Sequence, residues 1–309
     1  MPQKLRIGSR GSQLAMTQTN MVAIALRNAH AGLDVEIVEI LTSGDWNPSQ
    51  GETRLMEAKG GKGQFAHEIE QRILAGEIDC GVHSLKDMPS FLSDGLVIEH
   101  FLPRADARDV FLSLKYLNIE SLPMGAVVGT SSLRRQAFLL SKRPDIKIVA
   151  LRGNVPTRIE KLAQGQVDAM FLAKAGLDRL SFQSHITQIL EPDYFLPACG
   201  QGTIGIEMRK DDTRVASLMN TISCTRTALV SIAERAALQV LDGSCHTPIG
   251  AYAELVGERM HLRVAVAKQD GSATFFDEIV GPVATMDDAR TLGQVVGHRL
   301  KPRLPEGIL

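Results

Sequence analysis

What most constrains the fold of this chain is one unit written several times. A short apolar run is followed by a turn of small, hydroxyl and basic residues, and then by a helix with an apolar stripe. The first copy has a strand over 5–8, the turn Ser9-Arg10-Gly11-Ser12, and a helix over 13–29. A strand over 33–41 follows. The loop Gly60-Gly61-Lys62-Gly63 then leads into a helix whose apolar face is Phe65, Ile69, Ile73 and Leu74, spaced by three and four residues, with Gly76 as its stop. A strand over 79–83 ends before Met88-Pro89. The grammar then repeats: a strand over 126–129, a helix opened by Thr130-Ser131-Ser132 and running to 141, and a strand over 146–151. Next come a helix with Pro156 in its first turn running to 163, a strand over 167–172, and a helix from 174. Such alternation predicts mostly parallel sheets with helices on both faces.

The last third changes style. A long helix over 225–241 precedes the loop Asp242-Gly243-Ser244-Cys245. Strands over 249–255, 260–268 and 274–280 follow, with Asp270-Gly271 as a hairpin turn, and a helix over 286–300 closes the chain. This reads as a small α+β domain with an antiparallel sheet. At 309 residues the chain exceeds what one core usually serves, so two or three domains are expected.

Composition narrows the function classes. Net charge is -1, so nothing draws the whole molecule to nucleic acid or to an anionic membrane, and any anion site must come from local clustering. Aromatics are 5% with a single Trp, too few for a surface that stacks single-stranded bases. The N-terminus has no signal-peptide core and no segment is long enough to span a bilayer, so a cytoplasmic protein is expected. Cys80, Cys199, Cys224 and Cys245 form no C-x-x-C pair and no metal spacing, so no metal site is expected. Cys80 and Cys224 read as small buried hydrophobes.

Three segments carry chemistry. The densest is Gly129-Thr130-Ser131-Ser132-Leu133-Arg134-Arg135-Gln136, hydroxyls and two arginines where a strand hands over to a helix. Free N–H groups and the helix dipole favour an anion there, and guanidiniums match carboxylates. One such helix start is ordinary capping. Here it recurs at Leu151-Arg152-Gly153-Asn154 with Thr157 and Arg158, and at Ser9-Arg10-Gly11-Ser12, each after the carboxyl end of a strand, where open α/β sheets bind ligands. Arg10, Lys62, Lys86, Arg134, Arg135, Arg152 and Arg158 would then face one cleft and suit a ligand with several carboxylates. No nucleotide-binding glycine motif is present. The second segment, Val82-His83-Ser84-Leu85-Lys86-Asp87-Met88-Pro89, has two readings. Asp87 is either a turn residue bonding its own backbone, or a lone acid/base group that nearby cations keep ionised. His83 is ambiguous: a histidine within a strand is more often packed and hydrogen-bonded than catalytic. The third, Gly243-Ser244-Cys245-His246-Thr247-Pro248, presents either an accessible thiol or an inert one; a Cys/His protease reading fails for want of an oriented base and an oxyanion hole.

Along nearly its whole length the chain resembles the porphobilinogen deaminases. The matching segments are Ser9 to Ala15, Gly60-Gly61-Lys62-Gly63-Gln64-Phe65, Val82 to Pro89, Gly129 to Gln136, Leu151-Arg152-Gly153-Asn154-Val155, Gly200-Gln201-Gly202 and Gly243-Ser244-Cys245, in the family's order. The resemblance implies two α/β domains of the type II periplasmic-binding-protein kind around a cleft, with a C-terminal α+β domain. The implied cuts are 1–102 with 202–219, 103–201, and 220–309. It implies a dipyrromethane cofactor on Cys245 through a thioether, and the condensation of four porphobilinogen molecules to a linear tetrapyrrole with loss of ammonia. Asp87, Arg10 and Arg152 would be catalytic. Lys86, Ser131, Arg134, Arg135 and Asp87 would hold the cofactor. Arg10, Ser12, Gln18, Lys62, Phe65, Arg152 and Arg158 would serve the substrate. The protein would be a monomer without metal, nucleic acid or membrane partners.

The chain departs from the family pattern at Ser244, His246, Cys199 and Arg226. The Cys199 change puts a second thiol near the expected hinge and the cleft, where it would be open to oxidation. None of the four removes a residue given a chemical role. The main rival is a non-enzymatic two-domain anion-binding protein, which has no use for a third domain presenting a cysteine. A LysR-type effector domain lacks its helix-turn-helix here.

Overall fold

A computed structural model describes residues 4–42, 66–241 and 247–308. Lys62, Phe65, Cys245 and His246, with the 60–63 loop, lie outside these described residues. The first part comprises β1 (Lys4–Arg10), α1 (Gln13–Ala29), β2 (Asp34–Ile40), α2 (His67–Leu74), β3 (Cys80–Ser84) and β4 (Leu96–Phe101). The second comprises β5 (Asp109–Leu112), β6 (Val127–Gly129), α3 (Leu133–Leu140), β7 (Lys147–Val149), α4 (Val155–Ala163), β8 (Ala169–Ala173), α5 (Lys174–Arg179) and β9 (Gln188–Leu190). The chain then returns through β10 (Ile204–Arg209) and α6 (Thr213–Asn220), and ends in α7 (Thr225–Val240), β11 (Ile249–Val256), β12 (Arg259–Ala267), β13 (Thr274–Pro282) and α8 (Met286–Leu300).

The helix starts follow from the hydroxyl and amide residues that precede them. Ser12, Ser132 and Asn154 each accept a backbone N–H from the first turn of α1, α3 and α4, and Thr285 with Asp288 forms a reciprocal capping box at α8. Helix α1 turns Val22, Ala23 and Leu26 onto the first sheet, where they pack with Leu5, Ile7, Val82 and Ile206. In the C-terminal domain α8 lies very close to α7 because Gly293 and Gly297 have no side chain. A β-carbon at Gly293 would stand 2.1 Å from the Ala233 carbonyl oxygen.

Two sheets share one plan, β2-β1-β3-β10-β4 and β7-β6-β8-β5-β9, and the third is the antiparallel β11-β12-β13. The molecule is therefore two α/β domains of one strand plan with a small α+β domain. The expectation of mostly parallel sheets holds for four of the five strands in each, and one strand in each runs against the rest. β10 runs antiparallel to both β3 and β4, and β5 antiparallel to both β8 and β9. These two strands follow the crossings between the domains, so the chain enters each of them from the opposite end.

The crossings touch one another and are gripped by the third domain. The Ala105 N–H donates to the Gly202 carbonyl at 3.2 Å, and Gly202 has φ +85° with no room for a side chain. Fully buried Glu234, in the middle of α7, accepts Arg104 Nη1 at 2.6 Å, the Gly200 N–H at 2.7 Å and the Ala253 N–H at 2.8 Å. One carboxylate thus ties both crossings to β11. Around this hub, Ala228 of α7 packs on Leu85, Met88 and Phe101 of the first domain, while Ala265 and Ala267 of β12 join the core of the second beside Phe138 and Phe195.

The cysteines differ in their surroundings. Cys80 is buried in the first core, and burial pushes its thiol far up. Cys224, expected to be buried, is half-exposed at the start of α7, where hydrogen bonds around Thr227 and the nearby Arg226 lower its thiol against the opposing effect of burial. Cys199 packs among Leu229, Val230 and Ile249 in the C-terminal core, which shields it from the oxidation expected of a thiol facing the cleft. Arg226 donates to the Leu255 carbonyl and pins the start of α7 to β11.

Candidate active site

The carboxyl ends of β1 and β3, with the first turns of α1, enclose a pocket of about 70 Å³ lined by Arg10, Ser12, Leu14, Gln18, Ser84 and Asp87, among others. Arg10, Ser12, Gln18 and Asp87, all expected at the site, therefore line one pocket. Ser12 is engaged as the helix cap (Ala15 N–H at 3.3 Å), and buried Gln18 bonds Ser84 Oγ through Nε2 at 2.8 Å. Asp87 ends a single 3₁₀ turn, Leu85–Asp87, which is closed by the Met88 N–H on the Leu85 carbonyl at 3.1 Å. Among the described residues no hydrogen bond to the Asp87 carboxylate is found, so the turn is held by backbone and not by this side chain. His83 behaves as its strand position implies: buried, with Nε2 2.9 Å from Glu207 Oε2.

A second cluster lies beside the first. The two arginines at the start of α3 turn inward onto Asp109 of β5, whose side chain is fully buried. Arg135 donates to Asp109 Oδ1 from Nε at 3.0 Å and Nη2 at 2.7 Å, and to the Phe171 carbonyl at 2.9 Å. Arg134 forms an ion pair with Oδ2 at 2.7 Å and donates to the Leu196 carbonyl at 2.7 Å. Burial by itself would raise the Asp109 carboxyl, but the two guanidiniums outweigh it and hold the group at about 2. Gln201 also donates to Asp109, at 3.1 Å, and its carbonyl meets Lys86 Nζ at 3.4 Å. Burial lowers the Lys86 ammonium to about 8, with Arg134 and Arg135 adding to the fall and Asp87 and Asp109 opposing it.

The remaining expected residues line the second domain's strand ends. Ser131 accepts the Leu151 N–H at 3.2 Å and so joins two of these turns. Arg152 is buried directly after it, with its carbonyl accepting Lys161 Nζ at 3.0 Å. Arg158 bends back on its own loop, Nε to the Gly153 carbonyl at 2.7 Å. Across the cleft, Leu14 at the start of α1 comes close to Gly176 of α5, where a β-carbon would stand 3.8 Å from Leu14 Cδ2.

Sequence reasoning missed Asp109 and gave Gln201 no role. A signal exists: a carboxylate opening the apolar run Val110-Phe111-Leu112 needs a buried partner, and two adjacent arginines need a counter-charge within the chain.

A family model described as "Porphobilinogen deaminase, dipyromethane cofactor binding domain" matches residues 5–217, and one described as "Porphobilinogen deaminase, C-terminal domain" matches residues 228–302. The chain belongs to the porphobilinogen deaminase family. It is 48% identical over 304 residues to the porphobilinogen deaminase of Paracoccus denitrificans, covering 97% of this chain and 95% of that one. To the porphobilinogen deaminase of Nitrobacter hamburgensis it is 45% identical over 302 residues, covering 97% and 93%. Among solved structures, the methionine binding protein MetQ overlays with a TM-score of 0.45 at 15% identity, over 72% of this chain and 91% of that one.

The described residues fit a cofactor that carries carboxylates. Arg134 Nε is buried with no hydrogen-bond partner among the described residues. Asp109 balances only part of the positive charge gathered by Lys86, Arg134 and Arg135, so an anionic group is electrostatically welcome beside them.

Proposed function

We propose that this protein condenses four porphobilinogen molecules head to tail into the linear tetrapyrrole hydroxymethylbilane, consuming one water and releasing four ammonia, as a transferase of tetrapyrrole biosynthesis. The observation that carries the reading is the pocket in which the Asp87 carboxylate stands with Arg10, Ser12 and Gln18, next to Lys86 and the arginine pair on Asp109. Each substrate pyrrole bears two carboxylates, which explains cationic strand ends in a chain of net charge -1.

In this reading Asp87 stabilises the positive charge that develops on the pyrrole as ammonia leaves, and moves the proton lost on condensation. Arg10 and Arg152 orient the incoming carboxylates and assist the acid/base steps, and Arg158, Ser12, Gln18, Lys62 and Phe65 complete the substrate contacts. Lys86, Ser131, Arg134 and Arg135 would hold the carboxylates of a dipyrromethane cofactor attached through a thioether to Cys245. Bound there, the cofactor supplies the carbon nucleophile that starts the chain. Burial lowers the Lys86 ammonium, and a carboxylate held beside it would oppose that fall by favouring the charged form. The reading includes domain cuts at 102/103, 201/202 and 219/220 and a cytoplasmic monomer. Among the described residues no helix is long and apolar enough to cross a membrane.

Intact mass tests it. The purified protein should carry the mass of two linked pyrroles, and the Cys245→Ser variant should not. A wild-type mass still unmodified after incubation with porphobilinogen would refute the reading.

A further inference from the structure

We propose that Gln201 is a positioning residue for this site, its amide fixing Lys86 of the first domain against the Asp109-held arginines of the second. The inference rests on the function proposed above, in which Lys86, Arg134 and Arg135 face the same ligand.

Gln201 lies on the second crossing and is almost wholly buried. Its side-chain N–H groups are both spent on acceptors: Nε2 meets the Ala107 carbonyl of the first crossing at 2.7 Å and Asp109 Oδ1 at 3.1 Å. Two acceptors on one side leave no choice of amide orientation, because a flipped group would set its carbonyl against a carbonyl and a carboxylate. The oxygen Oε1 must therefore face the other way, and there it meets Lys86 Nζ at 3.4 Å. The backbone is fixed as well: the Gln201 N–H donates to the Ala198 carbonyl at 2.9 Å, and its carbonyl accepts Arg104 Nε at 2.9 Å. One amide thus touches a cation of the first domain, the first crossing, and the carboxylate that aims both arginines of the second.

Lys86 needs such an acceptor. Arg134 and Arg135 repel its ammonium, Asp87 and Asp109 attract it, and burial disfavours the charge. Without the Gln201 carbonyl, the ammonium loses a charge-assisted hydrogen bond and is left to these competing forces.

Two variants test the role. Gln201→Met keeps length and volume but removes the side-chain hydrogen bonds; Gln201→Asn keeps the amide one methylene short of its partners. The readouts are the pH dependence of amine labelling at Lys86, followed by peptide mass, and the pH profile of tetrapyrrole formation by the cofactor-loaded enzyme. The labelling midpoint should fall by about one pH unit in Gln201→Met, the scale of a lost hydrogen bond to a charged group. The alkaline limb of kcat/KM should fall with it, and Gln201→Asn should shift both in the same direction. If Gln201→Met does not fold, Gln201→Asn carries the test. An unchanged Lys86 midpoint in the folded variants overturns the proposal. A wild-type protein that makes no tetrapyrrole overturns the function instead, and the labelling midpoint still decides whether Gln201 and Lys86 are coupled.

Discussion

Replacing Asp109 by Asn should be among the most damaging isosteric changes in the second domain. The carboxylate is fully buried between two guanidiniums that keep it ionised down to about 2, against an ordinary 3.8. At about 1.4 kcal/mol per pH unit, that difference makes the ionised form worth about 2 kcal/mol to the fold. Asn removes the charge and leaves Arg134 and Arg135 buried without a counter-ion, so the loss at neutral pH should be larger, about 3–5 kcal/mol. The sign of the pH dependence follows from a depressed carboxyl. The stabilisation is complete above pH 3.8 and is lost as pH falls through the folded value near 2. Urea unfolding followed by far-UV circular dichroism, for the wild type and Asp109→Asn at pH 7 and in steps toward pH 3, measures both effects. The gap between the two proteins should be at least about 3 kcal/mol at pH 7 and should begin to narrow below about pH 4. A gap under about 1 kcal/mol, or one that does not change with pH, would refute the account of Asp109 as the counter-charge of the pair.

Asp87→Asn should leave the urea midpoint and the pyrrole mass as in the wild type but slow tetrapyrrole formation by about 10²–10⁴-fold; near-normal turnover would remove Asp87 from the chemistry. Gly202→Ala forces a side chain into φ +85° with its β-carbon 2.5 Å from the Ala105 carbonyl oxygen. It should cost about 2 kcal/mol or more, read as a lower thermal midpoint, and an unchanged midpoint would show that the crossings separate freely.

Elements whose ends are written in side chains were legible from sequence. Helices α1 and α8 match their expected limits because Ser12, Thr285 and Asp288 mark the starts locally. The three C-terminal strands were readable from alternation and the Asp270-Gly271 turn, since each pairs with its neighbour in sequence. By contrast no local pattern marks β4, β5, β9 or α6, and only the family resemblance implies a return to the first domain at β10. Ile204–Arg209 pairs with segments more than 100 residues earlier, and no local pattern encodes that distance. The site divides in the same way. Arg10, Ser12, Gln18 and Asp87 stand at strand ends or on the facing helix, and the structure brings them to one pocket. The orientation of Arg134 and Arg135 was not legible. Adjacent helix positions point about 100° apart, and only the placement of Asp109 on a neighbouring strand makes both long side chains converge.

The position of β10 also dictates an order of assembly during synthesis. The second domain's five strands all lie between Asp109 and Leu190, whereas the first sheet has its fourth member, β10, encoded after the whole second domain. While the ribosome is making residues 110–200, β3 and β4 are present but lack the strand that joins them, so their facing edges stay unpaired. The inserted domain can therefore close before the one that began first, and the N-terminal domain becomes complete only when Ile204–Arg209 emerges.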